Sequence, residues 1–240
     1  MAFDFKKVKE SIERISSEGF LEHPRFREFE QIANGSLERC DLKIGWKWMY
    51  QNENIRQTNL RHLTNLLVLS DGDINEWRVM DLGCGAPEDY SGDTNYHHKG
   101  YLPYKAEVLS DLGAKVVGVD FRQNSNASYE HRVVNFGEFY NQYDGGDLGN
   151  EDRAKEKLNG NFDLVIGTSL TIGGLTKDSD GYDTLAYLLG VCAKPSQVQF
   201  FDPLFIPYLS RGTKDRFIRR LRKSGINLMV VRGNSIGIKE

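Results

Sequence analysis

Apolar residues along the chain change their period near residue 77. Before that point they recur at helical spacing. Phe5, Val8, Ile12 and Ile15 fall on one face, and Leu60, Leu63, Leu66, Leu67 and Leu69 crowd another. Between these two stretches Trp46, Trp48 and Tyr50 alternate, as either an aromatic wall for a substrate or ordinary packing. From Arg78 onward short apolar runs predict strands over 78–82 (RVMDL), 114–120 (AKVVGVD), 131–136 (HRVVNF), 162–167 (FDLVIG) and 197–202 (QVQFFD). A helix is predicted over 104–112, where Tyr104, Val108 and Leu112 stand four residues apart, with Pro103 at its entrance and Gly113 past its end. Further helices are predicted over 182–189 and over 214–224, the latter burying Phe217, Ile218 and Leu221 and stopping at Gly225. The runs 226–231 and 235–239 flank Arg232-Gly233-Asn234, a hairpin signal.

Strands alternating with helices imply an α/β fold with a mostly parallel sheet and right-handed crossovers. The last hairpin adds an antiparallel strand. The chain therefore divides into an N-terminal helical extension or cap over 1–76 and an α/β domain over 77–240.

Composition narrows the function classes. Hydrophobic residues make up 39% and charged residues 27% of the 240 positions, the balance of a globular protein and not of a disordered one. The net charge of −3 argues against a general nucleic-acid binder, so a nucleic-acid partner is not expected. The 211–223 segment is locally basic, with Arg211, Lys214, Arg216, Arg219, Arg220, Arg222 and Lys223, but carries no aromatic stacking set. Cys40, Cys84 and Cys192 are odd in number and far apart, which suggests neither a disulfide framework nor a zinc site. No signal-peptide core and no membrane-length apolar run appears, so a reduced, cytoplasmic protein without a membrane partner is expected. Nothing in the sequence sets an oligomeric state.

The chemistry is concentrated at two strand ends. Val79-Met80-Asp81-Leu82-Gly83-Cys84-Gly85 carries a strand into two glycines, which let a ligand approach the backbone where a Cβ would block it. The second strand ends at Asp120, and a carboxylate there can accept both hydroxyls of a ribose. In open α/β sheets ligands lie outside the carboxyl ends of the strands. The nicotinamide-dinucleotide fingerprint needs a third glycine, and Glu88 stands in its place, where it would repel a pyrophosphate. An acid two positions before the first glycine, as at Asp81, suits a ligand with a positively charged end.

These stretches resemble the class I S-adenosylmethionine-dependent methyltransferase family. Asp81-Leu82-Gly83-Cys84-Gly85 is similar to its first motif and Val117-Gly118-Val119-Asp120 to its second. Phe162-Asp163-Leu164-Val165 is similar to its fourth strand, and the terminal hairpin to its last two. The resemblance covers roughly Arg78 to Glu240. It implies a Rossmann-like, mostly parallel seven-stranded sheet, S-adenosylmethionine (SAM) as cofactor and methyl transfer as activity, with a small molecule as the expected substrate. It also implies site residues: Asp81 near the amino-acid end of the cofactor, and Gly83, Cys84 and Gly85 passing beneath it. Asp120 would lie on the ribose and Phe121 against the adenine. Asn135 occupies the place of an adenine contact, followed by Phe136, with Glu138 and then Asp147 as alternative alignments. The chain departs from the family at Pro87, where a third glycine is usual, and in the inserted stretch 88–103 (EDYSGDTNYHHKGYLP).

Methyl transfer needs proximity and alignment, plus a base when the nucleophile is protonated. The inserted stretch offers His97 and His98 as candidate bases and starts beside the glycines, so it is expected to close as a lid. Its residues match no named metal-ligand spacing, and no metal is expected. The competing functional readings are a non-catalytic SAM-binding protein and a nicotinamide-dependent oxidoreductase.

Overall fold

The computed structural model describes residues 73–86, 103–120, 122–134, 162–167, 193–201, 211–231 and 234–239, together with a few isolated positions. The expected N-terminal extension lies outside these residues except for its last few and some isolated positions. So do the insertion up to residue 102 and the expected helix over 182–189.

Among the described residues seven strands form one sheet. They are β1 (Arg78–Leu82), β2 (Lys115–Asp120), β3 (Glu130–Val133), β4 (Phe162–Gly167), β5 (Ala193–Phe201), β6 (Ile226–Val231) and β7 (Asn234–Lys239), in the order β3-β2-β1-β4-β5-β7-β6. Strands β3, β2, β1, β4 and β5 run parallel. β7 inserts antiparallel between β5 and β6. The result is an α/β fold with a mostly parallel sheet closed by an antiparallel hairpin.

The central strands read as continuous apolar runs because both of their faces are covered. Val79, Met80 and Leu82 of β1, Val116, Val117 and Val119 of β2, and Phe162, Leu164, Val165 and Ile166 of β4 are all buried. Two helices are described among these strands: α1 (Tyr104–Asp111) between β1 and β2, and α2 (Arg211–Lys223) between β5 and β6.

The end of α1 shows why Gly113 is there. Its φ is 88°, the left-handed region, while Ala114 N donates to Leu109 O and Gly113 N to Ser110 O. That is the paired closure of a Schellman cap, which favours glycine. Helix α1 buries Ala106, Val108 and Leu109, and also Lys105 and Glu107. Glu107 accepts from Ser128 Oγ at 2.5 Å and Ser128 N at 3.4 Å, which ties the segment before β3 to the helix. Helix α2 buries Phe217 and Leu221 and exposes Arg211, Arg219, Arg222 and Lys223. Ile218, expected to be buried with them, is only half-buried.

The connection from β2 to β3 departs from the alternation of strands and helices. Parallel strands need a crossover that is usually a helix. Here residues 122–129 form turns and bends, with no helix among them. Ser110 Oγ donates to Ser128 O, so this segment docks on α1.

Candidate functional site

Asp81 and Gly118 are register partners on β1 and β2, and Gly118 pairs in turn with His131 on β3. Paired residues point to the same side of a sheet, so these three positions share one face. The turn after β1 is fixed to β2 by its backbone: Gly83 N and Cys84 N both donate to Val119 O, at 2.7 and 3.1 Å. Gly83 and Gly85 have φ of 70° and 97°. A side chain at either position would strain the turn, which is the physical content of the two-glycine motif.

Asp120 joins three segments. Its Oδ2 accepts Gly85 N at 3.0 Å, and its Oδ1 accepts Arg122 N at 3.2 Å. Its carbonyl accepts Val134 N at 2.8 Å. The turn after β1, the segment after β2 and the exit of β3 all meet at this one residue. β3 is described as far as Val133, and the Val134 amide continues its parallel ladder with β2; positions 135 and 136 of the expected strand lie outside the described residues.

Asp81 is treated differently. It is 2% exposed, and its Oδ1 has no hydrogen-bond partner among the described residues. Burial pushes its carboxyl up to about 7 from the usual 3.8; the Lys105 charge opposes that rise and Asp120 adds to it. A buried carboxylate with an orphaned oxygen costs free energy unless a donor or a positive charge meets it.

Cys84 lies beneath the turn. Its sulfur is 3.3 Å from Gly85 O, 3.7 Å from Tyr129 Oη and 3.8 Å from His131 Nδ1. Burial, with Asp81 and Asp120 nearby, raises the thiol well above its ordinary range. Cys84 is therefore a neutral packing thiol and not a nucleophile. Burial also raises the Tyr129 hydroxyl, with Cys84 adding to the rise; Asn124 Nδ2 donates to that hydroxyl at 3.3 Å.

The structure thus brings Asp81, Gly83, Cys84, Gly85 and Asp120 together at the carboxyl ends of β1 and β2. Phe121, Asn135, Phe136, Glu138, His97 and His98 lie outside the described residues. Sequence reasoning missed Lys105, Asn124, Tyr129 and His131. One signal was available: Gly118 interrupts a β-branched run, and an isolated strand glycine marks a close approach. A Cβ there would stand 2.3 Å from Tyr129 Cε2 and 2.9 Å from Cys84 Sγ. Among the described residues no group of three or more His, Cys, Asp or Glu side chains could hold a metal ion. No helix among them is long and apolar enough to cross a membrane.

No family model and no curated protein sequence matches the chain. The solved structures to which it is similar include several named as methyltransferases. DesVI of Streptomyces venezuelae is 8% identical, with a TM-score of 0.46 over 75% of this chain and 91% of its own. The magnesium protoporphyrin IX methyltransferase of Synechocystis PCC 6803, solved with bound SAM, is 14% identical, with a TM-score of 0.46 over 81% of this chain and 89% of its own. The N-methyltransferase NodS of Bradyrhizobium japonicum WM9 is 11% identical, with a TM-score of 0.43 over 76% of this chain and 97% of its own. These likenesses concern the fold and carry no substrate.

Proposed function

We propose that the chain is a SAM-dependent methyltransferase acting on a small molecule. The observation that supports this most is the buried Asp81 carboxylate, one of whose oxygens lacks a partner among the described residues. An ammonium at the amino-acid end of the cofactor would supply the missing donor and the compensating charge. The residues present fit the cofactor on that ground.

Asp81 would hold the ammonium, and the Gly83–Gly85 turn would pass its backbone beneath the ligand. Asp120 would accept the ribose hydroxyls from a carboxylate already oriented by two backbone amides. Phe121, Asn135, Phe136 and Glu138 are the candidates for the adenine side, and His97 or His98 for the base that takes a proton from the methyl acceptor. When bound, SAM supplies a methyl group activated on a sulfonium. The protein's part is to align the acceptor with that group and to exclude water.

The test is incubation of the full chain with SAM and a panel of small nucleophiles (amines, carboxylic acids, phenols and thiols), with S-adenosylhomocysteine measured by mass spectrometry. Acceptor-dependent accumulation is expected. Tight cofactor binding without turnover on any class would contradict catalysis and favour a binding protein.

A further inference from the structure

The ribose-facing carboxylate is held by amides, and one of those amides belongs to a residue that is itself held. Arg122 N donates to Asp120 Oδ1 at 3.2 Å, and Arg122 O lies 2.7 Å from His131 Nε2. A carbonyl can only accept, so Nε2 carries the hydrogen. Residue 122 is therefore gripped at both of its backbone groups: by Asp120 at its amide and by the imidazole of β3 at its carbonyl.

The imidazole is in turn fixed from its other side. Nδ1 faces Cys84 Sγ at 3.8 Å, and the Tyr129 ring lies 6.1 Å away, centroid to centroid. The absent side chain of Gly118 makes room for Tyr129 and Cys84 on β2. Asn124 donates to Tyr129 Oη at 3.3 Å and accepts Asn126 N at 3.2 Å, which pins the same 122–129 segment a second time. With no helix among residues 122–129, these hydrogen bonds do the work that a packed crossover helix does elsewhere.

We propose that His131 is a positioning residue for the Asp120 carboxylate. It acts through residue 122 and sets how well the ribose diol is held, while the ammonium site at Asp81 stays independent of it. This rests on the reading of Asp120 as the ribose contact. A merely structural histidine would affect all ligands alike. A positioning histidine affects only ligands that use Asp120.

The experiment is calorimetry on the full chain with two probes, S-adenosylhomocysteine and its analogue lacking both ribose hydroxyls. Three single variants and one double variant are compared with the parent. His131→Asn places its amide where Nδ1 stood and cannot reach the Arg122 carbonyl. His131→Gln places an N–H donor where Nε2 stood. Asp120→Asn is the reference for losing the ribose contact. His131→Asn is expected to weaken S-adenosylhomocysteine by about tenfold, the scale of one hydrogen bond near 1.4 kcal/mol. The analogue should change by less than about twofold, within the additivity of independent sites. His131→Gln should recover most of the loss. Combining His131→Asn with Asp120→Asn should cost little more than Asp120→Asn alone, because both act on one contact.

Equal weakening of both probes by His131→Asn, or no weakening of either, would overturn the proposal. An Asp120→Asn variant that leaves the ratio of the two affinities unchanged would instead overturn the ribose reading and take the proposal with it. One readout needs no variant: the ring nitrogen shifts of His131 in the parent protein should report the Nε2–H tautomer. An Nδ1–H tautomer in the parent would overturn the proposal by itself.

Discussion

Two aspartates stand in the last two positions of two neighbouring parallel strands, and the fold treats them in opposite ways. Asp120 is 8% exposed and takes a backbone amide on each carboxylate oxygen. Asp81 is 2% exposed, has an oxygen without a described partner, and is held up to about 7 chiefly by burial. The first is built into the structure and presents a fixed, oriented charge. The second carries an unmet demand that a cationic ligand would satisfy. A site for a ligand with a neutral diol at one end and an ammonium at the other needs this asymmetry.

The comparison breaks most directly at Asp120. Asp120→Ala should weaken binding of S-adenosylhomocysteine by roughly 1.5–3 kcal/mol, the range for hydrogen bonds to a charged group. It should also lower the melting temperature, because Gly85 N and Arg122 N lose their acceptor. Calorimetry and thermal melting check the two effects separately.

Gly118 lies between the two halves of the site, opposite Asp81 and His131. Gly118→Ala should destabilise the fold by about 1–3 kcal/mol through overpacking, since the new Cβ meets a ring and a sulfur held on both sides. Urea denaturation measures this, and an unchanged midpoint would mean that Tyr129 can swing away.

Asp81 sharpens the contrast through pH. Its folded pKa is raised, so its contribution to stability is full below about 3.8, declines as pH rises toward about 7, and changes little above that. Asp81→Asn removes the titration. Relative to the parent, the variant should gain stability progressively as pH rises from about 3.8 to about 7 and hold that gain above it, read from paired urea melts. In the parent, SAM binding should tighten as pH rises through about 7, because the bound ammonium favours the ionised carboxylate; the variant should lack that dependence. The smallest effect is expected at Tyr129→Phe, about 0.5–1.5 kcal/mol of stability for the loss of the hydroxyl that Asn124 and Cys84 meet.

Much of the frame was legible because strands buried on both faces leave unbroken apolar runs. β1 and β4 fall where RVMDL and FDLVIG stand, and the edge strand β6 where INLMVV stands beside a hairpin signal. β5 starts at Ala193 and not at 197, since Ala193-Lys194-Pro195-Ser196 carries a proline and polar residues that read as a loop. Its pairing with β4 shifts register between Phe162 and Leu164, the irregularity that accommodates this stretch. Helix α2 begins at Arg211, ahead of its first apolar residue, because a polar first turn gives no periodic signal.

The glycines and the two aspartates were legible because their chemistry is local to a strand end. Lys105, Tyr129 and His131 were not. Their roles come from β2 and β3 lying side by side and from α1 packing over them. Only Gly118, a gap in a β-branched run, hinted at that meeting.

The account's central claim is that these two strand ends form a SAM site. Calorimetric titration of the full chain with S-adenosylhomocysteine, and separately with NAD, tests it most directly. The account predicts saturable binding of S-adenosylhomocysteine, weakened at least about tenfold by Asp120→Ala, and no binding of NAD. Binding of NAD alone, or binding of S-adenosylhomocysteine that Asp120→Ala leaves unchanged, would contradict it.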